Sequence, residues 1–543
     1  MKRNSLVVLL VSVVGFFLSL FVLFTPIPKN SLDGFSAVEA ASYIEAISRD
    51  PHSVFDPDAH EEVRLYLKDQ LETFVGSDNV VEMNYTASEV GGDTEYDISN
   101  LLATIPGTNS TGTGILLVAH YDSRGHIGRS GELGRSYGAA DDGYGLATLL
   151  EIARLYGQDT TLENSIYILI TDGEETGLFG ADMAAEEAFM DKVGFVINLE
   201  ARGVDGAAYM FETSTNNDKV IDFYKHADLP VSYSLATAVY TVMPNSTDFT
   251  EFLAAGKQGI NFAVLKGLYN YHTPFDNYTA IDLSSIQHYG SQVVPLVEEF
   301  VTNSDYSDVN YFVSDTNQIF FTIFPNVFVA YSETLGIVLN LVFLLVFAGL
   351  VAYLAWKKEL APLKVLKYVG FIFLALVIFA IAGLYISKLI AFLGQTTWSL
   401  TYVRMNGTEI PTLAIMLVTL LFFGWLLKKK VGKEDYKAVM LAGIFVNLLL
   451  STITGFVLSG ASFLFFIPAL LGLLSLIVIT FVKNKIVQHV ALSQNLFWNF
   501  LLLIPIVYSL FLALTVGGLL ALLVIVIIDI SVVLPSVFIQ LNA

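Results

Sequence analysis

The chain has 543 residues, 54% hydrophobic and 15% charged, with 51 Asp+Glu against 29 Lys+Arg and no cysteine. So small a charged share over this length points to a membrane protein rather than one soluble domain, and the acidic balance excludes the basic footprint of a nucleic-acid binder. Without cysteine there is no disulfide framework, thiolate metal site or cysteine nucleophile, so a catalytic metal would rest on His and carboxylates.

The charge is unevenly placed. Residues 31–330 carry 45 acidic and 13 basic side chains, residues 331–543 carry 6 and 13, and the first 30 carry 3 basic ones. An acidic domain, large enough to bury a core, is therefore flanked by apolar sequence. Met1-Lys2-Arg3 leads into an apolar run from about Leu6 to Phe24, closed by Pro26 and Pro28. That run reaches the roughly 20 residues a bilayer crossing needs. It reads as an uncleaved signal anchor, because the nearest small-residue stretch, Ala37 to Ala41, lies too far downstream for signal cleavage.

Helical spacing is predicted over 38–49 and 60–74, the first closed by Pro51. Candidate strands follow at Val80–Tyr85, Ile98–Ile105, Gly114–His120, Ser165–Thr171, Gly194–Leu199, Ala208–Phe211 and Ile260–Leu265, and candidate helices at 143–156, 178–190, 217–227, 247–255 and 283–302. This alternation predicts an α/β domain: a mixed, largely parallel sheet with helices on both faces. After it, hydropathy predicts spans near 335–356, 369–393, 410–427, 437–457, 462–482, 497–516 and 519–538, the last two divided at Gly517-Gly518. The expected layout is an anchor over 1–30, the α/β domain over 31–310, a linker over 311–334 and an all-α membrane domain of about seven transmembrane helices over 335–543. Lysines cluster at Lys357 to Lys367, Lys428 to Lys437 and Lys483-Lys485, in every second connection. The positive-inside rule puts those loops in the cytoplasm and the acidic domain outside it, or in an organelle lumen.

In a parallel sheet, chemistry gathers where strands end. Here Ile115–Ala119 runs into His120-Tyr121-Asp122, Ile166–Ile170 runs into Thr171-Asp172-Gly173-Glu174-Glu175, and Phe195–Leu199 ends on Glu200. A Gly-rich loop delivers Asp141-Asp142 ahead of the helix at 143, and Tyr271-His272-Thr273 follows the last strand. Carboxylates crowded this way repel one another unless a cation sits among them. With nitrogen and oxygen donors, zinc suits the set best. Taken singly, each has an ordinary reading: a structural histidine, a solvated Glu pair at a helix start, a turn or N-cap Asp. Their order and their shared strand-end placement count against all of those at once.

Ala119-His120-Tyr121-Asp122-Ser123, Gly138-Ala139-Ala140-Asp141-Asp142-Gly143, Asp172-Gly173-Glu174-Glu175-Thr176-Gly177, Asn198-Leu199-Glu200 and Tyr271-His272-Thr273 together resemble the two-zinc aminopeptidase family, which includes aminopeptidase Y and the bacterial leucyl aminopeptidases. The span layout, Asn198–Gly203 and Pro244–Phe249 look like its vacuolar membrane protease branch. The resemblance covers about residues 38–302 by motif and implies the zinc aminopeptidase fold. It implies two Zn2+ bridged by Asp141 and by a water or hydroxide, with His120 and Glu200 completing one site and Glu175 and His272 the other. Many relatives place Asp where Glu200 stands. Asp122 would orient the His120 imidazole, and Glu174 would be the general base, moving a proton from the bridging water to the leaving amine. Asp142 would support the turn that aims Asp141. Tyr240 and Arg202 are pocket candidates, and Asp248 a cap for the helix that follows.

The expected function is thus a membrane-bound zinc metallopeptidase, a metallo-aminopeptidase acting on peptide substrates outside the cytoplasm. The spans would meet the lipid bilayer and anchor or oligomerise the protein. The alternatives are a catalytically inactive receptor or scaffold and a glutaminyl-cyclase-like protein on the same fold. Gly134-Arg135-Ser136-Tyr137-Gly138 matches a nucleophile-elbow pattern, but a Gly/Arg/Ser-rich loop stands where its strand should be. His60-Glu61 starts like a zinc-binding helix motif but lacks the second histidine. His126, in the polar loop, is expected to face solvent. Lys388 and Asp529 are the charges inside the spans, both expected near span ends.

Overall fold

A computed structural model describes residues 3–91, 96–125, 134–241, 243 and 245–542. Lys2, His126 and Pro244 lie outside the described residues. The chain forms two compact units: Leu23–Phe328, and Met1–Val22 with Val329–Ala543.

The first unit is built on seven strands: β1 (Val80–Tyr85), β2 (Ile98–Ile105), β3 (Gly114–His120), β4 (Ser165–Thr171), β5 (Val193–Ala201), β6 (Asp205–Thr213) and β7 (Gly259–Lys266). They pair in the order β1-β2-β4-β3-β5-β7-β6. The centre, β4-β3-β5-β7, is parallel, and antiparallel strands complete both edges, giving a mixed sheet. β3, β4 and β5 are buried along their whole length, which explains why they read as near-continuous apolar runs, with Asn198 the interruption in β5, rather than as alternating ones. On one face, Leu116, Val118, Leu169 and Val196 pack with Ala181, Ala184, Phe249 and Phe252 from the helices Phe179–Ala185 and Asp248–Ala254. The helices Gly143–Tyr156 and Leu283–Thr302 lie where the sequence predicts them.

Most differences are at element ends. The predicted helix 178–190 stops at Ala185 and resumes as a tight turn over Ala188–Lys192. β6 is nine residues rather than the expected four, since a strand that ends in Glu212 and Thr213 does not look apolar. Part of the expected linker is folded onto this unit: Phe312 is 1% exposed with its ring 4.5 Å from that of Phe195, and Gln318–Phe324 is a strand.

Beyond the strand Val327–Ser332, whose last four residues belong to it, the second unit is helical. Among the described residues, seven stretches are long and apolar enough to cross a membrane, the last being Lys485–Asn542. That stretch is two helices, Lys485–Leu514 and Leu519–Asn542, joined by the turn Thr515–Gly518, so a multi-pass membrane protein emerges with one helix near the start and seven later. The sixth of the later helices starts at Lys485 rather than near 497, because the polar residues that depress its hydropathy turn inward: Asn495 donates to Ser536 at 3.1 Å and Gln540 donates to Ser493 at 2.8 Å. Asp529 is a correction. It sits mid-helix and 3% exposed rather than at a span end. Lys388, near the end of Pro362–Leu393, places its Nζ 4.6 Å from the Trp398 ring centre.

Candidate metal centre

His120 closes β3, Glu174 and Glu175 follow β4, and Glu200 lies near the end of β5, so three parallel strands deliver their polar ends to one edge. Gly173 makes the sharp exit from β4 with φ +71°, a conformation that favours glycine. It opens directly onto the Glu174–Gly177 turn. Asp141 arrives from the other direction, ahead of the helix Gly143–Tyr156, whose N-cap is Asp142: its carboxylate accepts from Gly145 N at 3.1 Å. His272 comes from the loop after β7 with φ +55°.

These side chains meet as two groups that share one member. His120, Asp141 and Glu200 offer atoms within 4.8 Å of one another, and so do Asp141, Glu175 and His272. His120 Nε2 is 3.5 Å from Asp141 Oδ1 and 3.8 Å from Glu200 Oε2. His272 Nε2 is 3.4 Å from Asp141 Oδ2 and 3.1 Å from Glu175 Oε1. Each oxygen of Asp141 therefore faces a different histidine.

The donor chemistry fits a pair of divalent cations. His120 Nε2, Asp141 Oδ2 and Glu175 Oε1 are buried and make no hydrogen bond among the described residues, a costly state for polar atoms unless something else engages them. Two imidazoles with three carboxylates form a nitrogen and oxygen set of the kind zinc takes. Electrostatics agree: burial pushes the Glu200 and Glu174 carboxyls well above the glutamate range, and neighbouring carboxylates add to the rise in both. Burial opposes ionisation of Asp141 as well, yet His120 and His272 together hold it below the ordinary range.

Supporting contacts sharpen the expected roles. Asp122 does more than stand behind His120. Its backbone carbonyl lies 3.0 Å from His120 Nδ1, while its carboxylate accepts from the amides of Glu174 and Glu175 at 3.0 and 3.1 Å. One residue thus sets both the ring and the Glu174-Glu175 turn. Arg124 Nη1 is 3.1 Å from Glu175 Oε2. Asp248 does not cap its helix. Thr247 is the N-cap, and Asp248 is 1% exposed with its carboxylate bonded to the Thr171 hydroxyl. Tyr240 packs edge-on to Phe211 at 4.9 Å and feels the charges of Glu212, Glu200, Glu174 and Arg202.

Two residues that matter here are given no role at the site by the sequence reading. Asp276 accepts from Ala140 N at 2.8 Å, Asp141 N at 3.2 Å and the Ser136 hydroxyl at 3.1 Å, and so holds the loop that carries Asp141. The same contact removes Ser136 from the nucleophile-elbow pattern, whose preceding residues Gly134 and Arg135 form no strand. Asp276→Ala strands two backbone N–H groups, so a loss of about 3 kcal/mol is expected on thermal melting of the full chain, with a smaller loss for Asp276→Asn, which keeps one acceptor. The other is His60, which bonds Asp172 Oδ1 at 2.8 Å and stacks on Tyr121. It braces the β4 exit and is no ligand in either group.

Residues 100–297 match the model of peptidase family M28. Among curated proteins it is similar to a vacuolar membrane protease of Candida dubliniensis, 28% identical over 294 residues, 52% of this chain and 30% of the relative. It is also similar to human endoplasmic reticulum metallopeptidase 1, 25% identical over 347 residues, 60% of this chain and 37% of the relative. The chain spans about a third of the length of these relatives. Solved structures similar to it include a Zn-dependent exopeptidase from Parabacteroides distasonis (19% identity, TM-score 0.40, 49% of this chain and 99% of that one). A glutaminyl cyclase of Porphyromonas gingivalis is another (20%, 0.38, 49% and 99%).

Proposed function

We propose that the protein is a membrane-bound zinc metallopeptidase that removes residues from the amino termini of peptides, with its peptidase domain outside the cytoplasm. The observation that carries this reading is Asp141, whose two oxygens face His120 and His272 in two separate buried groups. The family match and the membrane-protease relatives support it. In this reading His120, Asp141 and Glu200 would hold one zinc, and Asp141, Glu175 and His272 would hold the other. Zinc so held supplies Lewis acidity toward a peptide carbonyl and toward water.

The remaining steps belong to the protein's own groups. Glu174 lies outside both ligand groups, beside Glu175, with its amide fixed by Asp122. Its carboxylate takes the proton of the attacking water and returns it to the departing amine as the C–N bond breaks. Asp122 keeps base and ligand in register through adjacent amides, and Asp276 holds the Asp141 loop.

Purified full-length protein in detergent, supplied with zinc, tests the reading with matched peptides carrying free and acetylated amino termini. Stepwise loss of residues from the free peptide and none from the acetylated one is expected. Equal cleavage of both would replace the aminopeptidase assignment by an endopeptidase one. Cyclisation of an N-terminal glutamine without hydrolysis would overturn the peptidase reading itself.

A further inference from the structure

Across β5, β7 and β6, at the register where Asn198 faces Asn261 and Asn261 faces Glu212, the sheet buries a row of polar side chains rather than apolar ones. Asn198 and Asn261 are fully buried and Glu212 is 6% exposed. Such a row costs stability unless every member is satisfied. The hydrogen bonds run in one direction. Asn198 Nδ2 donates to Glu200 Oε1 at 3.2 Å and to Asn261 Oδ1 at 3.1 Å. Asn261 Nδ2 donates to Glu212 Oε2 at 3.0 Å and to Thr247 Oγ1 at 2.9 Å.

Each amide thus spends both hydrogens, Asn198 Oδ1 being the one amide oxygen of the row that is buried without a hydrogen bond among the described residues, and Glu200 and Glu212 stand at the two ends as acceptors. With Glu212 at the far end, Asn261 turns its NH2 toward β6 and its carbonyl toward β5. Asn198 must then present NH2, not oxygen, to Asn261 and to Glu200. The arrangement answers a specific need. A glutamate has one more rotatable bond than an aspartate, and its carboxylate needs a fixed donor to hold it toward His120.

We infer that Glu212, acting through Asn261 and Asn198, positions the Glu200 carboxylate for the group it forms with His120 and Asp141. The inference rests on the proposed metal reading and adds to it a brace three strands wide. Glu212 is a positioning residue, since its carboxylate accepts from Asn261 and belongs to neither ligand group.

The test is zinc affinity of full-length protein in detergent, measured by competition with a chromophoric chelator alongside thermal melting. Wild type should bind two zinc equivalents; if it binds none, the metal reading fails and not this inference alone. Glu212→Met, which removes the terminal acceptor, should weaken one equivalent about tenfold or more and leave the other unchanged, the size of effect seen for partners behind metal ligands. Glu212→Gln, which keeps an acceptor, should stay near wild type. Asn198→Asp, which exchanges the donor facing Glu200 for an acceptor, should weaken the same single equivalent, and it carries the test if Glu212→Met does not fold. Wild-type affinity for both equivalents in a folded Met or Asp variant would overturn the inference. So would equal weakening of both equivalents together with a lowered melting point, the pattern of a merely structural role.

Discussion

Glu174→Gln is expected to reduce peptide hydrolysis by about 10²- to 10⁴-fold or more while zinc content stays at the wild-type level. The expectation comes from where Glu174 stands. It is next in sequence to Glu175, but the metal-facing groups are His120, Asp141 and Glu200 on one side and Asp141, Glu175 and His272 on the other, with Glu174 in neither. Its carboxyl nonetheless feels His120, Glu200, Glu175 and Asp248, so it lies within the same charged cluster. The amide substitution preserves shape, and the turn is held by Asp122 through the Glu174 and Glu175 backbone, which the substitution leaves alone. What Gln cannot do is accept the proton of an attacking water. A kcat loss at constant metal content therefore separates a base from a ligand. Turnover near wild type in a zinc-replete Gln variant would remove Glu174 from the mechanism. Loss of zinc along with activity would make it a ligand instead.

The candidate site was legible for a physical reason. A buried parallel strand has no polar face, so β3, β4 and β5 appear as near-continuous apolar runs, interrupted in β5 by Asn198, and the polar residue that ends each run stands out. His120, Glu175 and Glu200 are visible on that ground alone, and Asp141 and His272 through their motifs. Asp276 is not, because an aspartate four residues beyond His272 in a Thr-Pro-Phe-Asp stretch looks like any turn aspartate. Its bond to the Asp141 amide spans 135 residues and has no local trace. Asn261 left a faint signal, as the one polar residue in the run Gly259–Leu265, but its partners on β5 and β6 come only from the strand register. Asp248 was misread because Thr247, one residue earlier, supplies the capping box, which frees Asp248 to turn inward to Thr171.

The helical unit shows the same limit in reverse. Hydropathy finds the spans because lipid-facing residues must be apolar, yet it is blind to which residues face inward. Asn447 donates to Ile528 O at 3.2 Å and Asn495 to Ser536, so polar side chains that lower the hydropathy of a segment are the ones that tie helices together. A window average therefore shortens the Lys485–Leu514 helix at the end where its inward polar residues lie. Asp529 was expected at a span end, whereas the fold places it deep among helices, where its Oδ1 makes no hydrogen bond among the described residues.

The second large effect is expected at Asp141. In the proposed centre every other ligand serves one zinc, and Asp141 serves both, since Oδ1 faces His120 at 3.5 Å and Oδ2 faces His272 at 3.4 Å. Asp141→Asn keeps the size of the side chain but replaces one anionic oxygen by an NH2, which can only donate. Whichever way that amide turns, one group loses its shared oxygen, and both lose the negative charge between them. Zinc content after exhaustive dialysis should fall toward zero, with each affinity weakened by more than the roughly 10- to 100-fold that partners behind the ligands cost. His272→Ala is the contrasting case: it removes a ligand from one group only, so one of two equivalents should remain. The backbone that carries Asp141 stays pinned in the Asn variant, because Asp276 holds its amide rather than its side chain. A melting point lowered far more than in His272→Ala would point to collapse of the loop instead. The ordering decides the matter. If Asp141→Asn retains as much zinc as His272→Ala, the residue does not bridge, and the two groups are separate sites that only adjoin.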